Sequence, residues 1–332
     1  MAERAGVSHQ TVSRVINGHE LVSSATRERV QRAIHELSYV PSPIARGLTS
    51  NRTHSIGLVS TDISDHFFAQ VAAGAEIEAR RRGYYLVIAS VEEHAEADET
   101  AYLRLMVERR VEGLIVARPR LPITAGQVPL QRVPLVAIAA REAPGVTVVD
   151  VDNRGGGREA VDFLLRQGHR RIATITGPME WPSSHARLEG YRESLYAAGV
   201  TVSPSLVEQA PGWDLADGRA AMARLLDRAP GFTALFAYSD LIAIGAISEL
   251  RSRGLRVPRD ISVVGYDDIP VAAYTDPPLT TVSQPMREVG EAAASLVLDA
   301  IGEGTTGLGR LLPVRLVVRA SVAAPGTPDS GG

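Results

Sequence analysis

Between Ile56 and Asp267, eight short apolar runs bounded by turn residues alternate with stretches of helical period. The runs are IGLVST, YYLVIASV, GLIVAR, VPLVAIAA, RIATITG, SLVEQA, TALFAYS and ISVVGYD. Their near-continuous apolar character fits strands covered on both faces, as parallel strands are in α/β folds. FFAQVAAGAEIEARRRG and ADETAYLRLMVERR read as the helices between the first three, and later helices end at Gly168, Gly199, Ala229 and Gly254. Glycine suits such ends because it takes the left-handed conformation that stops a helix. Two successive strand–helix sets predict an α/β chain with two doubly wound lobes of parallel sheet. In that arrangement a ligand is expected at the carboxyl ends of the strands, in the cleft between the lobes.

The first forty residues follow a different pattern. In GVSHQTVSRVINGHELVS, with Ala2 before it, Ala2, Gly6, Val12 and Val15 fall where a helix-turn-helix needs a small residue, a turn glycine and two packing positions. Ser8 is placed to cap the second helix, and Gln10, Thr11, Ser13 and Arg14 lie on its outer side. In such units the second helix enters the major groove, where Gln and Arg read base edges; an ordinary αα-corner is the alternative. SATRERVQRAIHELSYV predicts a third helix, with Ser24 as its cap and Val30, Ala33, Ile34 and Leu37 as its buried stripe. The prolines of YVPSPIARGLTSNRTHS mark a linker, inside which Ile44, Ala45 and Leu48 lie on one face of a short helix. Alone, that helix is too short to be stable in water.

Charge separates the same two regions. Residues 1–54 hold seven Arg against four acids, although the whole chain of 332 residues has a net charge of −3. Only the N-terminal piece therefore has the balance that attracts phosphate. All 35 basic residues are Arg, which reads as GC-rich coding bias. The absence of cysteine excludes disulfides and thiolate metal sites. No apolar run reaches the length of a membrane span, and MAERAGVSHQ has no signal-peptide core, so a cytoplasmic location is expected.

Enzyme readings do poorly. No nucleophile stands with a base and an orienting group, and the eight His lack HExxH-like spacing, so no catalytic residue, metal or cofactor is expected. Asp267 and Asp268 are adjacent at a strand end and point in different directions. GGGRE at 155–159 lacks the Lys-Ser/Thr of a P-loop; anion binding at the helix start is its weaker reading.

Four separated segments, AGVSHQTVSRVIN, PSPIARGL, ISVVGYDD and DPPLTTVSQP, together resemble the lactose-repressor (LacI/GalR) family of bacterial transcription regulators. The resemblance runs from Met1 to about Ser321. It implies a DNA-binding head (1–40), a hinge helix and linker (41–54), and a periplasmic-binding-protein-like core (55–322) that dimerises and binds a small effector. Lobe 1 is expected at about 55–152 and 284–312, lobe 2 at about 153–283 and 313–322, and a disordered tail at 323–332. In the family the first helix begins before the position of Met1, so helix 1 is expected to be about five residues, short for a secure helix.

Carried over by position, Ser8, His9, Gln10, Thr11, Ser13 and Arg14 match the DNA-contacting stretch, with His9 and Gln10 where bases are chosen. Thr11, Ser13 and Asn17 are expected to hold phosphates, which position the head without specifying sequence. Ala45 and Leu48 match the hinge, Leu48 being the leucine that wedges into the minor groove and kinks the duplex. A two-fold dimer of such heads would read a pseudopalindromic operator.

In the core, Asp65, Phe67, Arg187, Ser239, Asp267 and Gln284 match family ligand positions, Asp267 as acceptor for sugar hydroxyls. Asp152 and Asn153 are weaker candidates, and Asp240 is read either as ligand group or as helix cap. Trp181 and Trp213, the chain's two tryptophans, are placed in loops on the cleft side of lobe 2. Aromatic faces stack on pyranose rings, so Trp with Asp and Arg forms a carbohydrate-type set. The expected function is a homodimeric repressor of carbohydrate uptake or catabolism genes, controlled by a sugar, a disaccharide being attractive. A purine or phosphorylated-metabolite effector stays open, as does a solute-binding protein, which would have no use for residues 1–50.

Overall fold

The computed structural model describes residues 1–16, 21–37, 52–91, 96–119, 133–141, 145–303 and 308–326. These form two units, Met1–His54 and Ser55–Gly332.

In the first unit, helices Ala2–Ala5, His9–Ile16 and Ser24–Glu36 close on a small core of Ala2, Ala5, Val12, Val15, Val30 and Ala33. Gly6 ends the first helix at φ 61°, a left-handed conformation that glycine adopts without a Cβ penalty. The hydroxyl of Ser8 accepts from the Thr11 amide at 3.1 Å, so it caps the second helix. Two details of the third helix differ from expectation. Ser23, one residue earlier than Ser24, is the cap, accepting from the Thr26 amide at 3.4 Å. Leu37 is half exposed, because the helix stops at Glu36 and its last turn passes beyond the core.

The second unit contains two six-stranded sheets. Strands β1 (Ser55–Ser60), β2 (Tyr85–Ser90), β3 (Gly113–Ala117), β4 (Leu135–Ile138), β5 (Thr147–Val151) and β11 (Arg310–Leu312) form one, in the order β11-β5-β4-β3-β1-β2. All its pairings are parallel. Strands β6 (Ile172–Thr176), β7 (Val207–Gln209), β8 (Ala234–Ala237), β9 (Ser262–Asp267), β10 (Thr280–Ser283) and β12 (Arg315–Val317) form the other, in the order β12-β10-β9-β8-β6-β7. Only β12 runs antiparallel there. Helices cover both faces of each sheet. In lobe 1, His66–Arg81 and Met286–Glu303 pack on one face, while Glu96–Glu108 supplies Leu103 and Met106 to the other. In lobe 2, Leu215–Arg228 and Asp240–Ser252 form one layer, and Asn153–Arg166 and Pro182–Ala197 the opposite one. The chain passes between the sheets after β5, after β10 and again between β11 and β12.

Strands β1, β3, β6, β8 and β9 are buried nearly throughout, as their apolar composition requires. β2 is the exception, since it is the edge of its sheet and leaves Tyr85, Val87 and Ile88 exposed. The periodicity of the sequence did not single out β5, β10, β11, β12 or the helix Met286–Glu303. The strands among them have only three to five residues, and their pairing is made by the passages between lobes. The C-terminal tail is ordered for longer than expected. The Ala323 carbonyl lies 2.9 Å from Nε2 of buried His169, and Pro325 lies against Gly168; residues 327–332 fall outside the described residues.

Candidate functional site

A cavity of about 430 Å³ opens at the carboxyl ends of strands from both sheets. Seven of the expected effector residues line it together: Asp65, Phe67, Arg187, Trp213, Ser239, Asp267 and Gln284. Trp181 does not; it is 7% exposed, and its ring is covered by the guanidinium of Arg118 at 4.4 Å from the centroid. Trp181 stands at the cap position of the next helix, which Pro182 starts. Arg118 and Asp150, both in the lining, were not singled out by sequence reasoning. Each sits at the end of a strand within an apolar run, and only the sheet order brings them to one cleft.

Arg187 is the best-fastened group. It is 4% exposed, and its Nε donates to Asn153 Oδ1 at 2.9 Å while Nη1 donates to the Tyr238 carbonyl. Its Cζ stands 3.6 Å from the centroid of the Tyr266 ring, a cation–aromatic contact. Asn153 in turn donates from Nδ2 to Asp150 Oδ1 at 3.1 Å. The guanidinium is thus held at a set orientation and linked to a second carboxylate in the same wall.

Asp267 ends β9 with φ 115°, followed by Asp268 at φ 59°, conformations that L-residues rarely adopt. Asp240 stabilises this turn from beneath. Its carboxylate is fully buried and accepts from the Ile269 amide at 2.8 Å and from the Thr281 hydroxyl at 2.5 Å. Asp240 neither lines the cavity nor caps its helix; Ser239 is the cap, accepting from the Ile242 amide at 3.0 Å. Asp268 points elsewhere, to Arg319 at 2.6 Å. Gln284 donates to Asp267 across the passage from β10.

Burial pushes the Asp267 carboxyl up to about 7, against the lowering effect of Arg187. Burial likewise raises Asp150 to about 6. Both carboxyls therefore stand close to their protonation midpoints near neutral pH, and a ligand that donates hydrogen bonds to them favours the ionised form, the proton passing to solvent.

Asp65 caps the helix His66–Arg81 through Oδ1, 2.7 Å from the Phe67 amide. Asp152 does the same for Asn153–Arg166 through the Gly155 amide at 2.7 Å and does not line the cavity, whereas Asn153 does. Of the glycines of GGGRE, Gly157 serves helix packing, while Gly155 and Gly156 make room for the Asp152 carboxylate and the Tyr266 ring. A Cβ on Gly157 would stand 2.5 Å from the Arg187 carbonyl oxygen, and one on Gly190 2.2 Å from that of Arg154. Their absence lets two helices cross in backbone contact, and the Asp152 carboxylate occupies the helix start where an anion would sit.

In the head, Ser8, His9, Gln10, Ser13 and Arg14 are exposed and Thr11 is half-buried, its hydroxyl 2.9 Å from that of Ser8. Val12 and Val15 face the core, so one side of the helix His9–Ile16 is polar and open. Asn17, Ala45 and Leu48 lie outside the described residues.

A helix-turn-helix unit joined to two doubly wound lobes around a polar cleft defines a ligand-binding DNA-binding regulator. Residues 1–42 match the bacterial regulatory proteins of the lacI family, and residues 161–322 match a periplasmic binding protein-like domain. The transcriptional repressor CytR of Escherichia coli (strain K12) is 36% identical over 98% of this chain and 95% of its own. A CelR–cellobiose complex is 39% identical with a TM-score of 0.73, covering 96% of this chain and 98% of that one. A lac repressor dimer bound to operator and the anti-inducer ONPF is 31% identical with a TM-score of 0.89, covering 97% and 98%. The chain belongs to the lacI family. It is a DNA-binding transcriptional regulator, not an enzyme.

Proposed function

We propose that this regulator is a homodimeric, cytoplasmic repressor whose operator binding is controlled by a small carbohydrate, a disaccharide such as cellobiose in particular. The observation that carries this reading is the composition of the cavity between the lobes, which Asp65, Asp150, Asp267, Arg187 and Gln284 line together with Trp213. Carboxylates accept and guanidinium donates to hydroxyls, while an indole takes the C–H face of a pyranose. A cavity of about 430 Å³ lies in the range of small-molecule sites. The likeness to the cellobiose complex of CelR supports the disaccharide.

The exposed apolar edge Tyr85, Val87 and Ile88 supports pairing of two copies, since such an edge is normally covered. Two copies would present two recognition helices to a pseudopalindromic operator. Within each head, His9 and Gln10 read bases, Arg14 contacts both bases and phosphate, and Thr11, Ser13 and Asn17 hold the backbone. Ala45 and Leu48 act in the minor groove. The effector shifts DNA affinity through its differential affinity for the open and closed cleft.

A thermal-shift panel of cellobiose, monosaccharides, purine bases and sugar phosphates tests the effector. A ligand at a hundredfold its Kd adds about 2.7 kcal/mol to stability by mass action. Cellobiose is expected to raise the melting temperature; a shift by a purine or phosphoester alone would remove the carbohydrate reading and leave the regulator. For the head, Gln10→Ala is expected to cost about 1–3 kcal/mol on the preferred operator and to relax one position per half-site. Unchanged base preference in a selection with both His9 and Gln10 replaced would remove the base-reading assignment.

A further inference from the structure

Both tryptophans of the chain converge on one guanidinium. Arg118 follows β3 in lobe 1, whereas Trp181 and Trp213 lie in the loops before the lobe 2 helices Pro182–Ala197 and Leu215–Arg228. The Arg118 Cζ stands 4.4 Å from the Trp181 ring centroid, 5.1 Å from that of Trp213 and 5.5 Å from that of Phe68. Distances under about 6 Å place a cation in the attractive field of an aromatic face. Arginine suits the position better than lysine, because its planar and weakly hydrated guanidinium stacks.

The contact is anchored on both sides. Arg118 has φ 51°, a backbone state that persists only where its surroundings impose it, and it directly continues a fully buried strand. On the other side, Trp213 is pressed onto lobe 2: a Cβ on Gly177, which follows β6, would meet its ring at 2.3 Å. Trp181 is almost fully buried. The indoles therefore travel with lobe 2 and the guanidinium with lobe 1, so opening the cleft separates them. Arg118 also faces the carboxyls of Asp150, from lobe 1, and Asp267, from lobe 2, and lowers the pKa of both.

We infer that Arg118 is a clasp between the lobes, its guanidinium held against Trp181 and Trp213 so that this contact sets the balance between open and closed cleft. The inference goes beyond the carbohydrate reading and does not depend on it, since the clasp acts in the ligand-free protein. Trp181 thereby has a role that its place in a sugar site did not explain: it carries the arginine that closes the cavity.

The two tryptophans make the test direct. Acrylamide quenching of tryptophan emission and small-angle X-ray scattering are measured on the ligand-free full chain. The variants are Arg118→Ala, Arg118→Lys and Arg118→Met, each also in Trp181→Phe and Trp213→Phe backgrounds so that each indole reports alone. Arg118→Ala is expected to lower the closed-to-open ratio about threefold to thirtyfold, the range that cation–aromatic contacts span. The readouts are stronger quenching of both indoles and a larger radius of gyration. Arg118→Lys is expected to behave like alanine despite its charge. Arg118→Met keeps an apolar stem over the rings and reports the same opening should the alanine variant lose its helical signal. Quenching and radius unchanged in the folded alanine or methionine variant would overturn the clasp, as would parent-like behaviour of the lysine variant. Because no sugar is present, a wrong effector assignment leaves both results as they are.

Discussion

Replacing Arg187 by alanine is expected to destabilise the core by about 1–3 kcal/mol for each of the two buried acceptors it leaves unpaired. The side chain is buried, and its removal leaves Asn153 Oδ1 and the Tyr238 carbonyl without the donors they now have. It also withdraws the positive charge that opposes the upward shift of Asp150 and Asp267. Lysine keeps the charge but cannot reproduce two divergent donors and a stacked plane over Tyr266, so Arg187→Lys should lie between parent and alanine. Urea unfolding of the full chain measures this. A loss below about 1 kcal/mol, the ordinary size of a mutational effect, would mean that the network carries little of the core's stability.

The second large effect is on binding. On the carbohydrate reading proposed above, Asp267→Asn is expected to weaken binding of the sugar effector about tenfold to a hundredfold, because a neutral amide replaces the charged acceptor and about 1.4 kcal/mol corresponds to each decade. The sign of the pH dependence follows from the raised carboxyl. Sugar hydroxyls donate to the ionised form, so binding draws a proton off Asp267, and affinity should fall as pH drops through about 7. Stability without ligand runs the other way. The folded state holds this proton up to about pH 7, whereas an unfolded Asp releases it near 3.9, so this group's contribution declines from about pH 4 to 7. The groups that act on Asp267 are Arg187, Asp65, Gln284, Arg118 and, from beneath, Asp240, whose own carboxyl is raised by burial and by Asp267. Calorimetric titration at pH 6 and pH 8 separates the cases. A parent protein whose affinity for the sugar that stabilises it does not change between them, or an asparagine variant binding as tightly as the parent, would remove Asp267 from the site.

Arg187 and Asp267 were both legible in the chain, because each sits in a segment, SSHARLEGY or VVGYDD, whose residues resemble known ligand positions. Arg118 was not. It stands alone at the end of GLIVAR, and nothing local distinguishes it from the many surface arginines of an arginine-only chain. Its meaning appears when Trp181 and Trp213, 63 and 95 residues further on, fold against it. Asp240 shows the reverse case: its place before a helix suggested a cap, but the neighbouring Ser239 caps, and the carboxylate turns inward to hold the Asp267 turn.

Periodicity and composition determined the alternation of strand and helix, because burying a parallel strand demands apolar side chains on both faces, a demand visible within five or six residues. They also determined the head, where cap, turn glycine and apolar spacing are all local. The tertiary structure decided what depends on contacts between distant segments. It placed β2 at an edge, paired the short strands β10, β11 and β12, set Gly157 against Gly190's helix at a close crossing, and withdrew Trp181 from the cavity. Those outcomes rest on which surfaces meet across the sheets, and side-chain identity along the chain carries no record of the partner until the fold supplies it.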